Sequence, residues 1–157
     1  MRALHRTMLV ILAVVAGGAG AASALAADST FTASATRAAV FIPSSTPFNG
    51  GGGLLGIGAG GRSKVGKVAL RVTCHAPDGL PCTIGVAVAS GRHIVAKARK
   101  VLGGTTKLYL RLNGYARAKL QQHGLVLVTL AVAHDHHGHT AVAGFKGTLR
   151  QIVVRRP

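Results

Sequence analysis

From Lys64 onward, hydrophobic and polar residues alternate with a period of two, the pattern of a strand that buries one side. In KVALRVTC (67–74), every second residue starting at Val68 is apolar, and the residues between them are mostly polar. The same alternation recurs in segments 84–88, 93–101, 106–112, 125–133 and 140–154. Turn signals separate these segments at Pro77-Asp78-Gly79, Ser90-Gly91, Gly103-Gly104 and His137-Gly138. Short strands at this spacing predict an all-β fold, a single antiparallel sandwich of about six to seven strands.

One segment, Asn113–Gly124 (NGYARAKLQQHG), breaks the alternation. Its first residue can cap a helix, good helix formers fill its middle, and its last residue is a glycine at the C′ position. The segment therefore predicts one short helix near 114–123 that connects two strands. We expect Tyr115 and Leu120 to turn toward the core.

The segment 1–26 has the organisation of an export signal. Arginines precede an apolar run at 8–16, and the small-x-small pattern at 24–26 predicts cleavage directly behind it. The uncharged stretch 8–27 is also long enough for a membrane anchor. Its second half is rich in Gly, Ala and Ser, which favours cleavage over a membrane anchor. After cleavage we expect no stable membrane span. We therefore expect a secreted protein, located outside the cell or in its envelope.

Residues 27–63 separate this leader from the alternating segments and have low complexity. Segment 27–48 is rich in Ala, Ser and Thr, with one short strand predicted at 37–42. Segment 49–63 (NGGGGLLGIGAGGRS) is rich in glycine, which loses much backbone entropy on folding. We therefore expect a disordered, Gly-rich linker over 27–63 and one folded domain over 64–157.

Cys74 and Cys82 flank a short connection that contains two prolines and an Asp-Gly turn. Two cysteines in an exported chain most simply form one disulfide. The sequence combines a strand ending VTC, the Cys-to-Cys connection, the helix-like YARAKLQQHG and the closing LVLVTLAVAHDHHGHTAV. In this combination the domain resembles the Cys-paired Ig-like β-sandwich modules of secreted and surface proteins of high-GC bacteria. The resemblance implies an Ig-like sandwich and an envelope location, and it carries no catalytic residues.

The chain is strongly basic, with 19 Lys and Arg, 3 Asp and Glu, and a formal net charge of +16. Such a charge attracts polyanions such as wall polymers, nucleic acid or anionic lipid head groups. Cations occupy polar positions of three predicted strands and would form one sheet face if these strands were neighbours: Lys67, Arg71, Lys97, Arg99, Lys107 and Arg111. Few aromatic residues accompany them, which favours salt-sensitive adhesion to polyanions over recognition of a specific nucleic acid. The alternative is a general compositional bias in which the cations are merely solvated.

The segment HDHHGH (134–139) places four imidazoles and one carboxylate at a predicted hairpin turn. Imidazole binds zinc and copper, and the candidate metal ligands are His134, His136, His137 and His139. Alternate residues of an extended chain project to the same side, so each side receives only two of these ligands. The alternative is an exposed turn in which Asp135 or Gly138 sets the backbone geometry. We therefore expect no resident cofactor, and zinc or copper binding that is weak at most.

The sequence contains no well-supported catalytic motif. The glycines in 56–61 match GxGxxG, but no predicted strand precedes them. The three Asp are scattered and do not form the carboxylate pair of a glycosidase. We therefore expect a non-enzymatic, exported interaction module that adheres to anionic polymers through its basic sheet face. The alternatives are a small extracellular metal-binding protein that uses the 134–139 hairpin, and a structural spacer with no dedicated ligand.

Overall fold

The computed structural model describes residues 35–155, and this part of the chain is mostly β-structure with one short helix. Its elements are β1 (Ala35–Pro43), β2 (Phe48–Gly50), β3 (Leu55–Ala59), β4 (Arg62–Lys64), β5 (Lys67–Cys74), β6 (Cys82–Ser90), β7 (His93–Leu102), β8 (Gly104–Arg111), α1 (Gly114–Gln122), β9 (Leu125–His134) and β10 (Thr140–Arg155). Every strand pair among them is antiparallel. The prediction of an antiparallel all-β domain with one short helix is confirmed at this level.

The strands form two sheets. The larger sheet has the order β4-β1-β10-β9-β6-β7, and the short β2 pairs with β10. The smaller sheet has the order β3-β5-β8. The long strand β10 pairs with β9 through its first part and with β1 through its second part. Strand β9 therefore lies inside the larger sheet, and β5 is the centre of the smaller one.

One hydrophobic core joins the two sheets, and both sheets contribute fully buried side chains to it. These include Leu70 and Val72 of β5, Ile84 of β6, Leu127 of β9 and Leu149 of β10. The alternation predicted for 67–74 and 84–88 is confirmed, since its apolar positions are the buried ones. Burial of branched apolar side chains is the main favourable contribution to folding in such a core.

The predicted disulfide between Cys74 and Cys82 is present. Cys74 ends β5 of the smaller sheet and Cys82 begins β6 of the larger sheet, so the bridge joins the two sheets at one end. In the connection between them, the Asp78 carboxylate accepts a hydrogen bond of 2.9 Å from the backbone N–H of Leu80. Gly79 has a φ of +71°, which the Asp-Gly turn requires and which favours glycine.

The helix α1 begins and ends close to its predicted bounds. The Asn113 side chain caps it by accepting a 3.0 Å hydrogen bond from the Ala116 N–H, and its amide donates to the Ile94 carbonyl of β7. Leu120 is buried as predicted, but Tyr115 is 40% exposed, so that part of the prediction is wrong. Ala116 takes the inward position instead, because residues four apart share one side of a helix.

The prediction of a disordered linker over 27–63 is wrong for the described residues from Ala35 onward. The strand expected at 37–42 is present as β1, and β2, β3 and β4 follow it inside the predicted linker. Strand β3 pairs with β5 in register from Leu55 opposite Cys74 to Ala59 opposite Leu70. Burial of Leu54, Leu55 and Ile57 in the core offsets the glycine entropy. The folded part therefore begins well before the predicted boundary at residue 64.

The predicted leader, 1–26, and the first residues of the predicted linker, 27–34, lie outside the described residues. Within 35–155, no helix has the length and hydrophobicity needed to cross a bilayer.

Candidate functional site

The outward side of the smaller sheet carries four of the predicted cations. Lys67 and Arg71 project from β5, and Lys107 and Arg111 project from its neighbour β8. The register places Lys67 directly opposite Arg111 and Arg71 directly opposite Lys107. Like charges directly opposite each other on neighbouring strands destabilise a sheet. This surface therefore contains two cross-strand pairs whose cations repel each other and destabilise the sheet locally.

Tyr109 lies between these two cation pairs. It is directly opposite Ala69, it is 52% exposed, and the Lys107 Nζ lies 5.3 Å from its ring centroid. A lysine over an aromatic ring at this distance makes a cation–π contact. Ala69 shares this outward side and is fully buried, whereas about half of the Tyr109 side chain is exposed. We call the surface formed by Lys67, Arg71, Lys107, Tyr109 and Arg111 the basic face.

The basic face continues into two concave regions that add further cations. One, of about 410 Å³, is lined by Arg37 of β1 and by Arg62 and Lys64 of β4, together with Lys67 and Tyr109. The other, of about 340 Å³, adds Arg117 of α1 next to Arg111. Sequence reasoning missed Arg37, Arg62, Lys64 and Arg117 as site residues. Arg37 and Arg62 fell in the predicted linker and Lys64 at the first position of the predicted domain, and the all-polar sequence Arg62-Ser63-Lys64 shows no hydrophobic alternation that would signal strand β4.

Lys97 and Arg99 do not belong to the basic face. They lie on β7, which pairs with β6 in the larger sheet and with neither β5 nor β8. Lys97 is opposite Ala87 and Arg99 is opposite Gly85, on the outward side of that sheet. The six predicted cations therefore form one group of four and one group of two. One common face required the three strands to be neighbours, and this condition is not met. Alternation shows which side of a strand is buried and does not show which strands pair.

Charge on the basic face is not neutralised from within residues 35–155. The carboxylates of this part of the chain are Asp78 and Asp135, and both are paired with histidines. No Lys or Arg in the described residues forms a salt bridge. The cations are therefore open to an external anion.

The four histidines of the 134–139 segment do not converge. The His134 ring is hydrogen-bonded to the Thr140 hydroxyl at 2.9 Å, the His137 Nε2 lies 3.2 Å from Asp78, and the His139 Nδ1 lies 2.6 Å from Asp135. His136 is exposed. Among residues 35–155, no group of three or more His, Cys, Asp or Glu side chains has an arrangement that could hold a metal ion.

Asp135 organises the hairpin between β9 and β10. Its carboxylate accepts hydrogen bonds from the backbone N–H groups of His137 and His139, and its side chain is 1% exposed. Gly138 completes the turn with a φ of +82°. Burial raises the pKa of the Asp135 carboxyl. The hydrogen bonds from His139 and His137 and the electrostatic attraction of the His139 ring lower this pKa by more than burial raises it, so the pKa lies below its usual value. The carboxylate thus stabilises the backbone of the turn through these hydrogen bonds.

The chemistry available on the basic face is the binding of anions by guanidinium and ammonium groups beside one exposed phenol ring. Comparison with protein-family models, with curated proteins and with solved structures gives no match to this chain. The candidate site is therefore defined by the residues and geometry described above.

Proposed function

We propose that the protein is a non-enzymatic, exported interaction module that binds anionic polymers through the basic face. The observation that carries this proposal is that the register places two like-charged pairs directly opposite each other, Lys67 with Arg111 and Arg71 with Lys107. An arrangement that costs stability in the free protein becomes favourable when anionic groups lie between the cations.

The length of the basic face favours a polymer over a single small anion. Lys67 and Arg71 are four residues apart on one strand, which separates them by about 13 Å at the rise of a β-strand. Arg111 and Lys107 have the same spacing on β8. One phosphate or carboxylate cannot contact both ends of such a surface, whereas a chain with repeated charges contacts both. Arg37, Arg62 and Lys64 extend the surface beyond the smaller sheet.

We further propose that the domain is an Ig-like β-sandwich and that the chain is secreted. Two antiparallel sheets around one core support the first part, together with a disulfide that joins strands of different sheets. The disulfide supports the second part, since such bonds persist mainly in oxidising compartments. The leader-like pattern of residues 1–26 points the same way.

The test compares two quadruple variants of the full chain that lose the same number of charges. The face variant is Lys67→Gln/Arg71→Gln/Lys107→Gln/Arg111→Gln. The control variant removes exposed cations outside the basic face and is Arg92→Gln/Lys100→Gln/Lys119→Gln/Arg155→Gln. The probe is random-sequence double-stranded DNA, used only as a polyanion of known charge density, and the dissociation constant is measured over a series of salt concentrations.

Each phosphate contact that is lost lowers the slope of log affinity against log salt by about 0.9, so we expect the face variant to lose about 3 to 4. The control variant should keep nearly the whole slope of the unmodified chain. Equal losses in the two variants would show that net charge alone drives binding, and they would overturn the proposal.

A further inference from the structure

The outward side of the larger sheet has the opposite chemistry. On β9, four of the five outward positions are apolar, namely Val126, Val128, Leu130 and Val132, and only His134 at the end of the strand is polar. Outward positions of a sheet in water are usually polar. Val126 is 49% and Leu130 is 45% exposed. The only hydroxyl on this strand, that of Thr129, points into the core. The hydrophobic pattern of β9 is thus apolar on both sides.

Neighbouring strands extend this surface. By register, Val142 of β10 is opposite Val132, and Phe48 of β2 is opposite Gly144, which is itself opposite Leu130. A Cβ on Gly144 would lie 2.9 Å from both the Leu130 Cδ2 and the Phe48 ring, so these side chains close over the glycine. We call the surface formed by Phe48, Val126, Val128, Leu130 and Val142 the apolar face.

On β6, the outward residues next to β9 have small side chains or none. Ala89 is opposite Val128, Ala87 is opposite Leu130, and Gly85 is opposite Val132. The branched side chains of β9 therefore stand above their neighbours. A contiguous exposed apolar surface of this kind indicates an interaction site.

Cations border the apolar face on both sides. Lys97 and Arg99 lie on β7, opposite Ala87 and Gly85, and thus on the same outward side. Lys146 and Arg150 lie on β10 across from them, with Lys146 directly opposite Val128. Both carboxylates of residues 35–155 are paired with histidines and form no salt bridge with these cations.

We infer that the apolar face lies on lipid bilayers that contain acidic lipids. Apolar side chains at the level of the head groups, bordered by cations that reach acidic phosphates, are the features that hold a protein in a membrane interface. The occupant is a lipid surface and not a second copy of this chain, because face-to-face pairing would bring the cations of both borders together. The basic face belongs to the other sheet and shares no residue with this surface, so the inference is independent of the proposed function.

The experiment measures binding of the full chain to vesicles of phosphatidylcholine mixed with phosphatidylglycerol, and to vesicles of phosphatidylcholine alone. The variant Phe48→Thr/Val128→Thr/Leu130→Thr removes apolar area from the face and places threonine, a residue that favours strands, at each position. The control Val65→Thr/Leu80→Thr/Val153→Thr makes the same change at exposed apolar positions elsewhere. All three proteins carry the same N-terminal segment, so differences between them report the substituted surface.

We expect the face variant to lose at least about tenfold in partitioning to acidic vesicles, and the control to stay within about twofold of the unmodified chain. Equal thermal midpoints of the three proteins establish that they fold alike. If the face variant binds acidic vesicles as well as the unmodified chain does, adsorption runs through the basic face and the inference is overturned. It is also overturned if the unmodified chain is a dimer that the face variant converts to monomer while vesicle binding is unchanged.

Discussion

Strands β5 and β9 bury similar side chains inward and present opposite chemistries outward. On β5 the outward residues include Lys67, Arg71 and Thr73, and on β9 they are valines, a leucine and a histidine. Both strands have neighbours on each side, so position in a sheet does not explain the difference. Packing demands determine the inward residues of both strands. The outward residues are free of that demand, and they are where the two sheets differ in what they can bind.

The apolar character of both sides of β9 has a structural consequence. A shift of one residue along a neighbouring strand exchanges the two sides of a strand, and a polar side normally opposes this exchange. On β9 that opposition is weak. The hairpin provides it instead, since Asp135 donates its N–H to the His139 carbonyl at 3.1 Å and accepts two backbone hydrogen bonds through its carboxylate. The histidine segment thus fixes how β9 and β10 align.

The largest expected effect comes from cutting the covalent link between the two sheets. The variant Cys74→Ala/Cys82→Ala opens a loop with a sequence separation of 8. Loss of this constraint on the unfolded chain lowers the free energy of unfolding by roughly 2–3 kcal/mol. Denaturant unfolding measures it, and chemically reduced unmodified protein serves as the control for the buried alanines. A loss well under this range in both samples would mean that the shared core alone holds the two sheets together.

A smaller effect in the opposite direction is expected inside β9. Thr129 is fully buried, and its hydroxyl has no hydrogen-bond partner in the described residues. Thr129→Val keeps the shape and removes an unsatisfied polar group, so the free energy of unfolding should rise by about 1 kcal/mol. Thr148→Val, on the outward side of β10 and half-buried, is the matched control and should change little. A less stable Thr129→Val would contradict this assignment and would point to a partner for the hydroxyl.

The sequence was most informative where the signal is local. Alternation along 67–74 and 84–88 identifies the buried positions, because each residue reports its own burial. The Asn cap of α1 and the Asp-x-x-Gly turn at 135–138 are short-range features, and both were predictable. The helix side was predicted with less success, since Tyr115 and Ala116 are adjacent and only one of them faces inward.

Pairing between distant segments was not predictable in the same way. Nothing local distinguishes β7 from β8 as a neighbour of β5, so one cationic face could be predicted only on the condition that the three strands are neighbours, and Lys97 and Arg99 lie on the other sheet. The glycines of 49–63 suggested a linker. Strand β3 forms within this segment because β5, which lies outside the segment, supplies the strand-pairing hydrogen bonds that stabilise it. The apolar face was hidden for a related reason, since a strand that is apolar on both sides does not show which side is outward.

The smallest expected effect tests the cost of the basic face itself. Arg111→Glu places a carboxylate directly opposite Lys67 and next to Arg117, so a repulsive pair becomes an attractive one. Cross-strand charge pairs contribute roughly 0.2–1 kcal/mol, and the variant should be more stable by an amount in this range at low salt and by less at high salt. Denaturant unfolding at two salt concentrations measures the change.

The control for this prediction is Lys100→Glu, because Lys100 is opposite Ile84 and has no charged partner across the strand pair. Arg111→Glu should also weaken polyanion binding, so that stability and binding move in opposite directions at one position. If the variant gains no stability at low salt, the cations of the basic face do not repel one another measurably. The like-charged pairs would then have no repulsion for a bound polyanion to remove, and the electrostatic explanation of the contrast between the two faces would be wrong.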